Sequence, residues 1–154
     1  VKSWANKEKV SIRSPRSTRP WQHVLEPLSG YLLCGSKLLH GLSISDAYNF
    51  GPPSEMNATV EELIKLSIKH WPNNYGWVDE SEGVDNKESQ LLKLNCDLAL
   101  FDLKWNATLT LDETIKMTTE WYIKFSENEN LIKDFTRKQI KSYCELVKER
   151  SNYV

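Results

Sequence analysis

The segment Thr18-Arg19-Pro20-Trp21-Gln22-His23-Val24-Leu25-Glu26-Pro27-Leu28-Ser29-Gly30-Tyr31 constrains this chain more than any other. The ring of Pro20 clashes with the residue before it, which drives Arg19 into an extended conformation. Alternation along a strand then predicts Arg19, Trp21 and His23 on one face, with Thr18, Gln22 and Val24 on the other. Glu26-Pro27 predicts the opening of a helix, because a proline in the first turn loses no N–H that the helix needs. An arginine on a strand that feeds a helix is placed to hold an anion, since its rigid paired donors match phosphate oxygens and its charge is permanent. Chemistry alone leaves Arg19 two readings, a phosphate grip or a solvated arginine between two loops.

The rest of the chain narrows the choice of partner. Its 154 residues suit one domain, spanning 1–154, and 27% charged residues beside 40% hydrophobic ones describe a soluble globular protein. Net charge is −1, so no global field draws the chain to nucleic acid or to a membrane, and any anion site must be local. The longest apolar run, Leu98-Ala99-Leu100-Phe101, is far too short to span a bilayer. Cys34, Cys96 and Cys144 are odd in number and widely spaced, which reads as reduced thiols in a cytoplasmic protein. His23, His40 and His70 show no metal-ligand spacing, so no metal site is expected. Asn57-Ala58-Thr59 and Asn106-Ala107-Thr108 match the glycosylation sequon, but without a signal peptide they read as coincidence. Val1-Lys2-Ser3-Trp4 lacks an initiator methionine and reads as entry midway through a helix, hence as a piece of a larger protein.

Local signals predict a mixed α/β fold of several helices and short strands. Val1 to Lys9 reads as the end of a helix, Val10 to Arg13 as a strand and Ser14-Pro15-Arg16-Ser17 as a turn. The helix from Glu26 to about Leu39 is expected to bury Leu28, Tyr31, Leu32 and Leu38 on one side and to end at Gly41. Gly30 and Gly35 within it predict close packing against a neighbour. Ala47-Tyr48-Asn49-Phe50 reads as a buried strand. Thr59-Val60-Glu61-Glu62 is a capping box opening a helix to about Trp71, with Val60, Leu63, Ile64 and Ile68 inward and Pro72-Asn73-Asn74 as its stop. Trp77-Val78 and Gln90 to Leu94 read as strands on either side of a solvated acidic loop, Asp79 to Asp85. Asn95 is expected to cap a helix to Leu103, followed by a turn at Lys104-Trp105-Asn106. Thr110-Leu111-Asp112-Glu113 is a second capping box, starting a helix with Leu111, Ile115, Thr118, Trp121, Tyr122 and Phe125 on its core stripe. Thr136-Arg137-Lys138-Gln139 reads as a third, beginning a terminal helix with Ile140, Tyr143, Cys144 and Val147 inward.

The block Val10-Ser11-Ile12-Arg13-Ser14-Pro15, then Arg19-Pro20-Trp21-Gln22-His23-Val24-Leu25-Glu26-Pro27-Leu28-Ser29-Gly30-Tyr31-Leu32, resembles the C-terminal half of the CDP-glucose 4,6-dehydratases. These are extended short-chain dehydrogenases/reductases that act on nucleotide sugars. Tyr48-Asn49-Phe50-Gly51-Pro52, Lys87-Glu88 ahead of Leu92-Lys93-Leu94, Leu103-Lys104-Trp105 and Thr119-Glu120-Trp121-Tyr122 follow in the family's order, from about Trp4 to Tyr143. Where that family has Leu-Asp-x-Ser-Lys-Ala, this chain departs with Leu94-Asn95-Cys96-Asp97-Leu98-Ala99.

The resemblance implies the C-terminal, substrate-binding portion of such an enzyme, with the Rossmann lobe mostly absent. Arg19 would contact the diphosphate of the nucleotide sugar, Ile12 and Arg13 its base or ribose, and Trp21 and His23 the pocket floor. Many wider relatives carry a second diphosphate arginine ahead of the later strand, where only Lys87 is available here. The family binds NAD on a G-x-G-x-x-G turn and works with a Tyr-x-x-x-Lys pair. The glycines here lie at 30, 35, 41, 51, 76 and 83, and no tyrosine precedes a lysine by four, so neither the cofactor site nor the catalytic acid/base is expected in this chain. In the intact enzyme NAD would oxidise C4 of the hexose, water would leave across C5 and C6, and the hydride would return to C6. The implied partners are a CDP-hexose, the N-terminal Rossmann lobe and a second copy in a homodimer. Two alternatives stay open: an epimerase or dehydratase using another nucleotide, and a non-catalytic assembly module made without the cofactor lobe.

Overall fold

The computed structural model describes residues 2–73, 75–81 and 92–151. In chain order they form α1 (Lys2–Ala5), β1 (Val10–Ile12), β2 (Thr18–Arg19), α2 (Leu25–Leu39), β3 (Ala58–Thr59), α3 (Val60–His70), β4 (Trp77–Asp79), α4 (Asp97–Leu103) and α5 (Leu111–Glu127). A 3-10 turn at Glu129–Leu131 then leads into α6 (Ile132–Ser151). The strands make two small ladders. β1 runs parallel to β4 with Val10 opposite Trp77 and Ile12 opposite Asp79. β2 runs antiparallel to β3 with Thr18 opposite Thr59 and Arg19 opposite Ala58.

Helix starts are set by side chains. Thr59 accepts from the Glu62 N–H while the Glu62 carboxylate accepts from the Thr59 N–H, and Thr110 and Glu113 repeat the arrangement on α5. The third box does not exist as a start. α6 begins four residues earlier, at Ile132, so Thr136 lies inside it and its hydroxyl donates to the Ile132 carbonyl. Asn95 works one position outside its expected place: Cys96 is the residue flanking α4, and the Asn95 side-chain carbonyl accepts from the Asp97 N–H at 3.0 Å. α2 ends as expected at Gly41, whose φ of +71° lets the Leu42 N–H reach back to the Lys37 carbonyl.

Among the described residues two apolar clusters stand out. One joins Phe50, Ala99, Leu103 and Trp105 beneath α2. The other joins Trp4, Ile64 and Trp71, with Val10, Ile12, Trp77 and Ile123 around them. Gly30 belongs to the first, since a Cβ there would lie 2.4 Å from the Phe50 ring. Gly35 has open space where its Cβ would be, so the packing expected there is not made among the described residues.

Several expected burials are reversed. α2 turns Glu26 and Gly30 inward and leaves Leu28, Tyr31, Leu32 and Leu38 exposed. Among the described residues Ala47 to Phe50 joins no ladder, and within that run only Phe50 is buried. Leu92, Lys93 and Leu94 form no strand, and Gln90 and Leu91 lie outside the described residues. Most of the acidic segment, from Glu82 to Asp85, lies outside them too, while Asp79 closes β4. Tyr122 and Phe125 on α5, and Ile140 and Cys144 on α6, face outward, because the inward positions go to Thr114, Ile115 and Thr119 and to Gln139 and Tyr143.

Candidate functional site

β2 stops at Arg19 because Pro20 has no N–H to continue the ladder. The Trp21 N–H instead closes a tight turn onto the Arg19 carbonyl at 2.9 Å. The alternation expected of Arg19, Trp21 and His23 is therefore broken after its first member. Arg19 is half-buried, opposite Ala58, and its guanidinium donates to the Thr18 carbonyl at 2.8 Å. Trp21 ties the segment to β3 by an indole N–H donated to the Ala58 carbonyl at 2.9 Å. The Gln22 amide N–H donates to the Phe50 carbonyl, while its buried Oε1 has no hydrogen-bond partner among the described residues. His23 is buried at the entrance to α2, where Nδ1 accepts from the Leu25 N–H at 3.3 Å. Burial lowers the His23 pKa, so the ring stays neutral at pH 7 with its proton assigned to Nε2.

Ile12 sits half-buried in the Trp4 cluster, and Arg13 follows it, exposed. Lys87 lies outside the described residues. Two clefts flank the Arg19 segment. One, of about 400 Å³, is walled by His23, Val24 and Leu25 on one side and Thr118, Trp121 and Tyr122 on the other. The second, of about 650 Å³, runs between Gly51–Glu55 and Lys93–Asp97 over Trp105. It shares Pro52, Pro53, Ser54, Lys93 and Leu94 with a small recess that reaches Pro20, beside Arg19. Lys93 thus brings to that cleft a cation that the sequence reading did not single out.

A second residue escaped the sequence reading. Glu26, only 1% exposed, accepts the N–H groups of Thr108 and Leu109 at 2.9 and 2.6 Å and the Tyr143 hydroxyl at 2.8 Å. A buried carboxylate with donors on every side is a clamp, here fastening α2 to the loop before α5 and to α6. Burial, with the nearby Glu26 charge, pushes the Tyr143 hydroxyl up to about 12. Arg150, which also donates to the Thr108 carbonyl, grips Glu113 through Nη1 at 3.0 Å and Nη2 at 2.6 Å. That grip holds the Glu113 carboxyl down at about 2.

The starts of α2, α3 and α5 offer no seat for the pyrophosphate of a dinucleotide. A pyrophosphate needs a glycine-rich turn and free N–H groups at a helix start. The first turns of α2, α3 and α5 instead carry Glu26, Glu61 with Glu62, and Asp112 with Glu113, and the hydroxyls of Thr59 and Thr110 already occupy N–H groups there. Among the described residues no His, Cys, Asp and Glu cluster could hold a metal ion, and no helix is long and apolar enough to cross a membrane.

No family model matches the chain. Its fold is that of the C-terminal portion of a short-chain dehydrogenase/reductase-type dehydratase. The crystal structure of dTDP-glucose 4,6-dehydratase from Bacillus anthracis, in complex with NAD, superimposes with a TM-score of 0.61 at 18% identity, over 82% of this chain and 38% of that one. In sequence the chain resembles the C-terminal half of a CDP-glucose 4,6-dehydratase. It is 35% identical over 133 residues to the Salmonella typhimurium protein of that name, covering 86% of this chain and 37% of that protein. The chain thus spans well under half the length of the relatives it matches.

Proposed function

We propose that this chain is the substrate-binding portion of a nucleotide-sugar 4,6-dehydratase, a cytoplasmic lyase that converts CDP-glucose to CDP-4-keto-6-deoxyglucose. The supporting observation is the 35% identity to CDP-glucose 4,6-dehydratase over 133 residues. The redox cofactor and the acid/base pair belong to a further lobe of the intact, homodimeric enzyme, and this chain alone turns nothing over. The net change is loss of water from the hexose, and the role of these residues is to hold the nucleotide diphosphate while it happens.

Arg19 is the residue assigned to the diphosphate, with Lys93, on the cleft beside it, as a second cation. Lys87 keeps the same assignment from sequence alone. Ile12 and Arg13 are assigned to the base and ribose, Trp21 and His23 to the floor. The diphosphate keeps its charge throughout the reaction, so a guanidinium on it stabilises ground state and transition state about equally. Arg19→Ala in the intact enzyme is therefore expected to raise KM for CDP-glucose at least tenfold with kcat within about threefold of wild type. A loss confined to kcat would remove the diphosphate role. Turnover of CDP-glucose by the 154-residue chain alone would overturn the assignment of catalysis to another lobe. Thermal shifts with CDP-, dTDP-, UDP- and GDP-glucose fix the nucleotide, the largest being expected for CDP-glucose.

A further inference from the structure

We infer that the cleft between the entrance of α2 and the α5–α6 pair binds an uncharged heteroaromatic ring carrying a carbonyl, at a site separate from the seat of the nucleotide diphosphate. The His23 side of that cleft holds the reason. His23 is 6% exposed, and its Nδ1 is spent on the Leu25 N–H at 3.3 Å. Its Nε2–H is left with no partner among the described residues. That atom is not sealed in, because the buried side-chain polar atoms without a partner among the described residues are Gln22 Oε1 and Thr114 Oγ1. Nε2 therefore reaches the surface, and the surface that His23 borders is this cleft of about 400 Å³. A donor held there by a ring more than nine-tenths buried is a polar anchor in a cavity of the size that takes small molecules.

The walls define what the donor meets. No side chain lining the cleft carries a charge, and burial keeps His23 neutral at pH 7. A phosphate or carboxylate would find no cation on these walls. They share no residue with the cleft at Lys93. A sugar would bring several hydroxyls, but the threonine hydroxyls here are already engaged. Thr118 donates to the Thr114 carbonyl, and Thr136 donates to the Ile132 carbonyl while accepting the Trp121 indole N–H. A polyol would leave most of its groups unpaired, which is costly.

A flat ring meets none of these objections. Trp121 is fixed by its bond to Thr136 and by stacking on Phe125 at 5.4 Å and 7°, with Tyr122 edge-on to it at 5.2 Å. Val24 and Leu25 face this aromatic wall from the α2 side, so an apolar slot stands preorganised. Gln139, 8% exposed, borders the cleft from α6 with its Nε2 spent on the Met117 carbonyl, which leaves Oε1 as an acceptor. A carbonyl that takes the His23 N–H, beside a ring N–H that Gln139 accepts, satisfies both. The substrate assignment uses the packing of the His23 ring as a floor; the inference here uses only its Nε2–H.

The test is fluorine NMR of the intact protein labelled with 5-fluorotryptophan, titrated with 2-pyridone, the Trp121 resonance being assigned by its loss in Trp121→Phe. A saturable shift of that resonance is expected. His23→Asn keeps an acceptor for the Leu25 N–H but has no Nε2–H, and should weaken binding about tenfold, the worth of one hydrogen bond. His23→Gln, whose amide N–H reaches where Nε2 stands, should restore most of it. Ile140→Trp, on the half-exposed rim, should fill the cleft and abolish the shift while leaving His23 in place. Saturating CDP-glucose should leave the shift unchanged. A silent Trp121, toluene binding as tightly as 2-pyridone, indifference to His23→Asn, or displacement by CDP-glucose would each overturn the site. Arg19-dependent binding of CDP-glucose with a silent Trp121 sinks only this inference, and a 2-pyridone shift in a protein that ignores CDP-glucose sinks only the substrate assignment.

Discussion

A methyl group on residue 30 would have to share space with the Phe50 ring, 2.4 Å away. The ring cannot easily give way, being buried and set edge-on against Trp105 at 4.8 Å. Gly30→Ala is therefore expected to destabilise the chain by about 1–3 kcal/mol, the usual cost of overpacking. Gly35→Ala, on the same helix with open space beside it, should stabilise it by up to about 1 kcal/mol through helix propensity. Urea midpoints at constant m-value measure both, and equal effects would mean that Phe50 is not fixed where the structure has it. The same contrast of scale holds for Glu26. A single carboxylate gathers donors 82, 83 and 117 residues distant in sequence, so one residue decides where the loop before α5 and the middle of α6 sit relative to α2.

α5 and α6 are tied at their ends as well as along their faces. Arg150 in the last turns of α6 grips Glu113 in the first turn of α5, where the carboxylate also accepts the Thr110 N–H at 2.8 Å. Both Arg150 and the capping N–H favour the charged form, so the Glu113 pKa falls from its ordinary 4.5 to about 2. A depressed folded pKa means that the tie is whole above about pH 4.5 and is lost as pH falls toward 2. Because the Glu113 side chain is 32% and Arg150 40% exposed, screening limits its worth to about 1 kcal/mol. Glu113→Gln should flatten the acid limb of stability between pH 5 and 2 and leave the slope above pH 5 unchanged; an unaltered acid limb would show the pair contributes nothing. The two true capping boxes were legible because a cap is local, needing only residues three positions apart. Thr136 carries the same letters, but its hydroxyl accepts the Trp121 indole N–H at 2.8 Å from α5, and no local pattern announces that. Of the candidate site, the extended Arg19 before Pro20 was readable. The fate of Trp21 and His23 was not, since it depends on where Ala58 and Leu25 fall. Ala47 to Phe50 reads as a strand in sequence, but a strand exists only with a partner, and none is supplied by the described residues.

At the scale of the whole molecule, the interior is two clusters with few direct links. Phe50, Ala99, Leu103 and Trp105 hold α2 to α4, while Trp4, Ile64 and Trp71 hold α1, α3 and the β1–β4 ladder together. α5 reaches the second cluster through Ile123, and the Glu26 clamp on Thr108 and Leu109 ties the loop before α5 to α2. Apolar packing holds each cluster together, whereas hydrogen bonds, those to Glu26 foremost, tie the segments between them. Such an interior should open in two cooperative units. Ile64→Ala and Leu103→Ala each remove a buried side chain, at a cost of about 2–5 kcal/mol. Native-state hydrogen exchange should then show Ile64→Ala speeding the amides of α3, β1 and β4 while those of α2 and α4 keep their rates, and Leu103→Ala doing the reverse. Uniform acceleration in both variants would establish one cooperative core and would give the Glu26 clamp a strength its hydrogen bonds alone do not supply.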